Sequence, residues 1–222
     1  MNKINFKESI NSSEIDNRIF KVLKELEKKA RYEEKNYPSI AHENRMLAIT
    51  KETGIFYNIL LRIQKPKRIL EIGTSTGYST LWFADAILEQ KAMILTIEQN
   101  PKKINIANNN FKNAGVSKII KIKQGNARNI LNQMLKEFKT ATSRKYFDFI
   151  FIDADKEEYS YYFDTGLQML KTGGIIASDN IIYPERFKKY IKKYMTHVYK
   201  KKNIQTTIVP IGNGQQISIK IR

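Results

Sequence analysis

Residues 68–79 read Arg68-Ile69-Leu70-Glu71-Ile72-Gly73-Thr74-Ser75-Thr76-Gly77-Tyr78-Ser79, and this stretch decides the fold. A short apolar run passes directly into a loop with glycines at 73 and 77, and then into a helical pattern from Tyr78. Strand, glycine loop and helix in that order open a doubly wound α/β unit. The missing side chains let a ligand approach the backbone beside a helix N-terminus. The spacing also excludes ligands. A dinucleotide fingerprint needs G-x-G-x-x-G, whereas Gly73 and Gly77 make G-x-x-x-G. A P-loop needs Lys followed by Ser or Thr after its second glycine, where Tyr78-Ser79 stands. What remains is a nucleoside-type ligand without a diphosphate.

Outward from this loop, apolar runs recur at 93–97, 119–122, 147–152 and 175–178, with helical stretches at about 78–90, 101–114, 127–139 and 157–170 between them. Continuous β-branched runs separated by helices predict a parallel sheet covered on both faces. A helix over 185–200 leads to runs at 204–210 and 215–221, joined by the turn signal Ile211-Gly212-Asn213-Gly214. The expected architecture is a doubly wound, mostly parallel seven-stranded α/β sheet with a C-terminal antiparallel hairpin. Before the sheet, Ile15, Ile19, Val22, Leu23 and Leu26 fall at helical spacing within 12–35, with Ser12 or Ser13 as the N-cap. Pro38 breaks that pattern, and a second helix is expected from about His42 to Ile63, kinked near Gly54. Residues 1–222 are expected as a single domain, with 1–45 as an N-terminal helical extension.

Of the 222 residues, 41% are hydrophobic and 11% aromatic, enough for a core and too many for wholesale disorder. Cysteine is absent, which removes disulfides, thiolate metal sites and thiol nucleophiles and suits a reducing compartment. With only His42 and His197, a His-rich metal site is excluded. The N-terminal residues hold no apolar signal region, and no long apolar run occurs, so a cytoplasmic protein that does not enter a membrane is expected. The net charge of +17 is concentrated at residues 185–222, which carry ten basic side chains against one acidic. Such a basic end could steer a polyanion such as RNA, although 30 of the 39 cations are lysine, as in a solvated and compositionally biased surface.

Acidic residues follow the strands where ligands of open α/β sheets bind. Glu98 closes the second strand, in place to accept hydrogen bonds from ribose hydroxyls, and Glu71 could face an ammonium or sulfonium group. Asp153, Asp179 and Asn180 bring two carboxylates and an amide oxygen to the ends of the fourth and fifth strands. Oxygen donors without His or Cys suit a hard cation such as Mg²⁺ or Ca²⁺. Asp155 reads as a helix cap. Lys156, beside the acidic pair, is a candidate base.

The strings LEIGTSTGYS (70–79), FDFIFIDADKEEY (147–159) and GGIIASDN (173–180) together resemble the cation-dependent class I O-methyltransferases that use S-adenosylmethionine. That group includes catechol and caffeoyl-CoA O-methyltransferases, and the resemblance runs over about 40–222, hairpin included. It implies a Rossmann-like methyltransferase fold, with the donor's methionine part against Glu71, Gly73 and Thr74, helped by Gly77, Tyr78 and Ser79. Glu98 would take the ribose, and Asn126 and Ala127 would flank the adenine. Asp153, Asp179 and Asn180 match the metal ligands, for Mg²⁺ or else Ca²⁺ or Mn²⁺; Asp153 also borders the cofactor, and with Lys156 at the base position it serves catalysis. The acceptor implied is a small catechol-like hydroxylated molecule, and the working unit a homodimer.

Two departures stand out. The family's Trp-Gly-containing insertion is missing after Asn180, where Ile181-Ile182-Tyr183-Pro184 follows. The position at which the family offers a methionine to the cofactor aligns with Ala48, two residues past Met46. A second reading is a tRNA methyltransferase acting on 5-hydroxyuridine, its RNA held by the basic end with Tyr190, Tyr194 and Tyr199. A third, a cofactor-binding module without catalysis, is disfavoured by the joint presence of Asp153, Lys156, Asp179 and Asn180.

Overall fold

In the computed structural model, which describes residues 15–143 and 145–222, seven strands form one sheet. They are β1 (Arg68–Ile72), β2 (Met93–Glu98), β3 (Ile120–Gln124), β4 (Phe147–Ile152), β5 (Leu170–Ser178), β6 (Ile204–Val209) and β7 (Gln215–Lys220). Their spatial order is β3-β2-β1-β4-β5-β7-β6. The first five are parallel, and β7 runs antiparallel to both β5 and β6. This is the doubly wound sheet with a terminal hairpin that the sequence predicts. Winding reverses between β1 and β4, the switch point at which open α/β sheets leave a crevice beyond their strand ends.

Successive side chains of the central strands point to opposite faces and feed two cores. Ile69, Phe149 and Phe151 pack with α1 (Asn17–Lys35), α2 (Lys51–Gln64), α3 (Tyr78–Ile87) and α4 (Pro101–Asn113). Leu70, Ile72, Ile150 and Ile152 pack with α5 (Ala127–Thr140), α6 (Tyr159–Met169) and α7 (Lys188–Tyr199). Most of these strand residues are fully buried, each stabilising the fold by about 1.5–3 kcal/mol relative to exposure.

Several boundaries differ from the sequence expectation. The first helix starts at Asn17, because the Asp16 carboxylate accepts from the amides of Arg18 (2.9 Å) and Ile19 (3.3 Å); Ser12 and Ser13 lie outside the described residues. The second starts at Lys51 instead of near His42, since Thr50 Oγ1 caps it by accepting from Thr53 N (3.2 Å). Gly54 lies inside this helix without breaking it: a side chain there would strike the indole of Trp82. β5 begins five residues earlier than the apolar run, with Leu170 beside Phe147, and the register shifts before Ile175 meets Phe149. Gly173, at φ +76°, lies in that interruption.

Candidate functional site

The glycine loop is bent over the ends of β1 and β2. Gly73 N and Thr74 N both donate to Ile97 O (3.0 and 3.1 Å), and Gly77 N donates to Thr74 O (2.9 Å). At φ +105° Gly73 takes a conformation that favours glycine, and any Cβ there would run into the carbonyl of Asp153. The glycine loop therefore lies directly against the end of β4.

Glu98 grips this loop from β2. Its Oε2 accepts from Ser75 N (2.9 Å), while Oε1 accepts from Gln99 N and Asn100 N (2.9 Å each). Gly125 N donates to Glu98 O (2.8 Å), which brings Asn126, the N-cap of α5, and Ala127 beside the same strand end. On the far side, Ser75 Oγ donates to Met46 O (2.5 Å), and the Glu33 carboxylate receives the amides of Met46 (2.5 Å) and Leu47 (3.0 Å). The segment before α2 is thus tied down between α1 and the loop.

Glu71 lies under the loop with no exposed surface. Ser79 Oγ donates to its Oε1 (2.6 Å), and Thr80 Oγ1 (2.5 Å) and Thr96 Oγ1 (2.7 Å) donate to its Oε2. Burial pushes its carboxyl up to about 7, opposed by these three hydroxyls.

At the switch point, Asp153 N donates to Ile72 O (2.9 Å) and Asp179 N to Ile152 O (3.1 Å). These bonds bring the ends of β1, β4 and β5 together and set two carboxylates near each other. Burial, then the charge of Asp153, pushes the 2%-exposed Asp179 up to about 7. Gln215 Nε2 donates to Asp179 Oδ1. Lys156 Nζ, itself buried, forms an ion pair with Asp153 Oδ1 at 2.8 Å and sits 4.9 Å from the Tyr159 ring and 5.9 Å from that of Phe187. Asn180 turns the chain at φ +60°. No group of three or more His, Cys, Asp or Glu suited to a metal occurs among the described residues. Two carboxylates with Asn180 next in sequence are oxygen donors only, a chemistry that would suit a hard ion completing its shell from water or substrate.

Beside Phe187, whose ring is 5.9 Å from Lys156 Nζ, two segments touch. Arg186 Nη2 donates to Tyr37 OH (3.2 Å), the Arg45 guanidinium lies 3.8 Å over the Tyr37 ring, and the Arg186 guanidinium is 4.9 Å from the Phe187 ring. The hydrogen bond from Arg186 is the largest influence lowering the Tyr37 pKa.

A family model described as O-methyltransferase matches residues 10–221. This chain belongs to the O-methyltransferase family. The catechol O-methyltransferase of Niastella koreensis is 37% identical over 136 residues, which span 61% of this chain and 59% of that protein. The caffeoyl-CoA O-methyltransferase of Medicago sativa is 31% identical over 196 residues, 82% of this chain and 78% of that one. Among solved structures, the O-methyltransferase from Bacillus cereus in complex with SAH is similar in fold, with a TM-score of 0.74 at 24% identity over 90% of each chain. The enzyme is an S-adenosylmethionine-dependent O-methyltransferase.

In this methyltransferase Gly73, Thr74, Gly77, Ser79, Glu98, Asn126 and Ala127 gather at the ends of β1 to β3, and Asp153, Lys156, Asp179 and Asn180 at those of β4 and β5. Two residues face elsewhere than expected. Glu71 is enclosed by hydroxyls, and the Tyr78 hydroxyl reaches Glu27 Oε1 of α1 (3.3 Å). Asp155 caps the turn after β4 as predicted, accepting from Glu157 N (3.1 Å). Sequence reading missed Thr80, Thr96 and Gln215. None of the three left a local signal: the burial of Gln215 at the start of β7 is visible only in the structure.

Proposed function

We propose that the enzyme methylates a hydroxyl of a small catechol-like acceptor with two neighbouring oxygens, assisted by Mg²⁺ or another divalent cation at Asp153, Asp179 and Asn180. The observation carrying this is the pair of carboxylates, one buried and one ion-paired to Lys156, beside the glycine loop at the switch point. The names of the Niastella and Medicago relatives support an acceptor of this class.

The glycine loop, with Gly73, Thr74, Gly77 and the backbone of the helix start at Tyr78 and Ser79, holds the methionine end of S-adenosylmethionine, and Glu71 fixes the helix start from beneath through the Ser79 hydroxyl. Glu98 accepts from the ribose, and Asn126 and Ala127 border the adenine. A bound divalent cation supplies Lewis acidity that favours the ionised acceptor oxygen. Lys156, held 2.8 Å from Asp153 Oδ1, would take the acceptor's proton as the neutral amine, after giving its own proton to solvent. The methyl group passes from sulfur to oxygen, leaving S-adenosylhomocysteine and the methyl ether, with rate gained by positioning.

Of the three tyrosines that could stack on RNA, Tyr194 is 1% exposed and offers no ring face to a base, which favours the small acceptor over 5-hydroxyuridine in tRNA. The same reading makes the enzyme a cytoplasmic homodimer, with Ile59 and Ile63 on α2 as exposed apolar surface for a second copy. No helix among the described residues is long and apolar enough to cross a membrane.

Calorimetric titration with S-adenosylmethionine, then a methyl-transfer assay on catechol with and without EDTA, tests the proposal. Binding and turnover that EDTA abolishes and Mg²⁺ restores are expected. Turnover indifferent to EDTA would remove the cation, and the absence of donor binding would remove the whole reading.

A further inference from the structure

We infer that Gln215 is a positioning residue for Asp179 and that, together with Tyr57, it sets how tightly the site takes a divalent cation. This rests on the cation reading proposed above and extends it to two residues that touch neither donor nor acceptor.

Gln215 opens β7 and has no exposed surface, an unusual place for an amide unless each of its atoms is used. Nε2 faces two acceptors, Asp179 Oδ1 and Ile211 O (3.4 Å), while Oε1 accepts from the hydroxyl of Tyr57 (2.7 Å). The amide therefore has one orientation. Turned over, it would set oxygen against the Asp179 carboxylate and against the Ile211 carbonyl. Tyr57 is equally fixed: it is fully buried, and its ring meets those of Phe151, Phe149 and Phe83 edge-on, with centroids 5.0, 5.8 and 6.0 Å away. The Asp179 backbone is held separately, by Tyr159 OH donating to its carbonyl (3.2 Å).

Backbone and carboxylate of Asp179 are thus fixed by different elements, α6 and the hairpin, and the hairpin is fixed in turn by α2. A neutral donor suits this task. It aims the carboxylate without cancelling its charge, as Lys156 partly does for Asp153. Partners of this kind are worth about 10–100-fold in metal affinity.

The test is Mn²⁺ binding followed by the loss of the free-ion EPR signal, without turnover, for wild type, Tyr57→Phe, Gln215→Met and Asp179→Asn, with S-adenosylmethionine binding measured alongside. Gln215→Met keeps the length and removes the amide; Tyr57→Phe removes one hydroxyl and guards against a misfolded Gln215 variant. We expect Gln215→Met to weaken Mn²⁺ binding by about 10–100-fold and Tyr57→Phe to weaken it less, both with donor binding retained. Wild-type Mn²⁺ affinity in both folded variants, alongside a loss in Asp179→Asn, would overturn the positioning role alone. A wild-type enzyme that takes no Mn²⁺ would overturn the cation reading and this inference with it.

Discussion

Glu71 and Asp179 stand at the carboxyl ends of β1 and β5, and burial pushes each of them up to about 7. Their surroundings differ. Three hydroxyls from α3 and β2 close around Glu71, with no other carboxylate among its hydrogen-bond partners. Asp179 has a second carboxylate, Asp153, near enough to raise it further, and one amide to aim it. The same desolvation thus makes an anchor in one place and a demand for positive charge in the other. The charge of Asp153 raises both carboxyls; at Asp179 it is the largest influence after burial, whereas at Glu71 it weighs less than each of the three hydroxyls.

The comparison breaks most visibly at Asp179. Asp179→Asn keeps the shape and removes the charge, and should lower methyl transfer by about 10²–10³-fold with donor binding unchanged by calorimetry. A variant of wild-type rate would make Asp179 no more functional than Glu71. Next in size is the pH dependence of Glu71. Its carboxyl is raised from an ordinary 4.5 to about 7, so its stabilisation is complete below 4.5 and lost as pH rises through 7. Glu71→Gln has no such loss, so between about pH 5 and pH 8 the stability difference should move in the variant's favour by about 3 kcal/mol. Denaturant midpoints at the two pH values check this; a constant difference would mean that Glu71 is charged throughout. Lys156→Met should cost about 10²-fold in kcat and flatten the pH-rate profile, while a rate loss without a change in the profile would leave the lysine only an ion-pair partner of Asp153. The smallest effect is expected at Arg186, next to Phe187. Arg186→Ala removes an exposed hydrogen bond to Tyr37 worth about 1 kcal/mol, and should change KM for the acceptor more than kcat.

The glycine loop and the strand-end acids were legible because each depends on a local rule. Gly73 and Gly77 answer to backbone conformation, and Asp153 and Asp179 to where strands end at a switch point. The partners were not legible. Thr96 meets Glu71 from 25 positions away, and Gln215 meets Asp179 from 36, through strand registers that no local pattern contains. The helix expected from His42 failed for a related reason. Met46 and Ile49 have helical spacing, but Glu33 takes the amides of Met46 and Leu47, and Thr50 caps the helix that follows. A long-range carboxylate there outweighed a local periodicity.

The hydrogen bond between Tyr57 and Gln215 joins residues 158 positions apart. Closing a contact of that separation costs more chain entropy than pairing neighbouring strands. On the cation reading proposed above, refolding from denaturant should therefore recover donor binding before Mn²⁺ binding. A single common rate for the two would show that the hairpin docks together with the rest of the sheet.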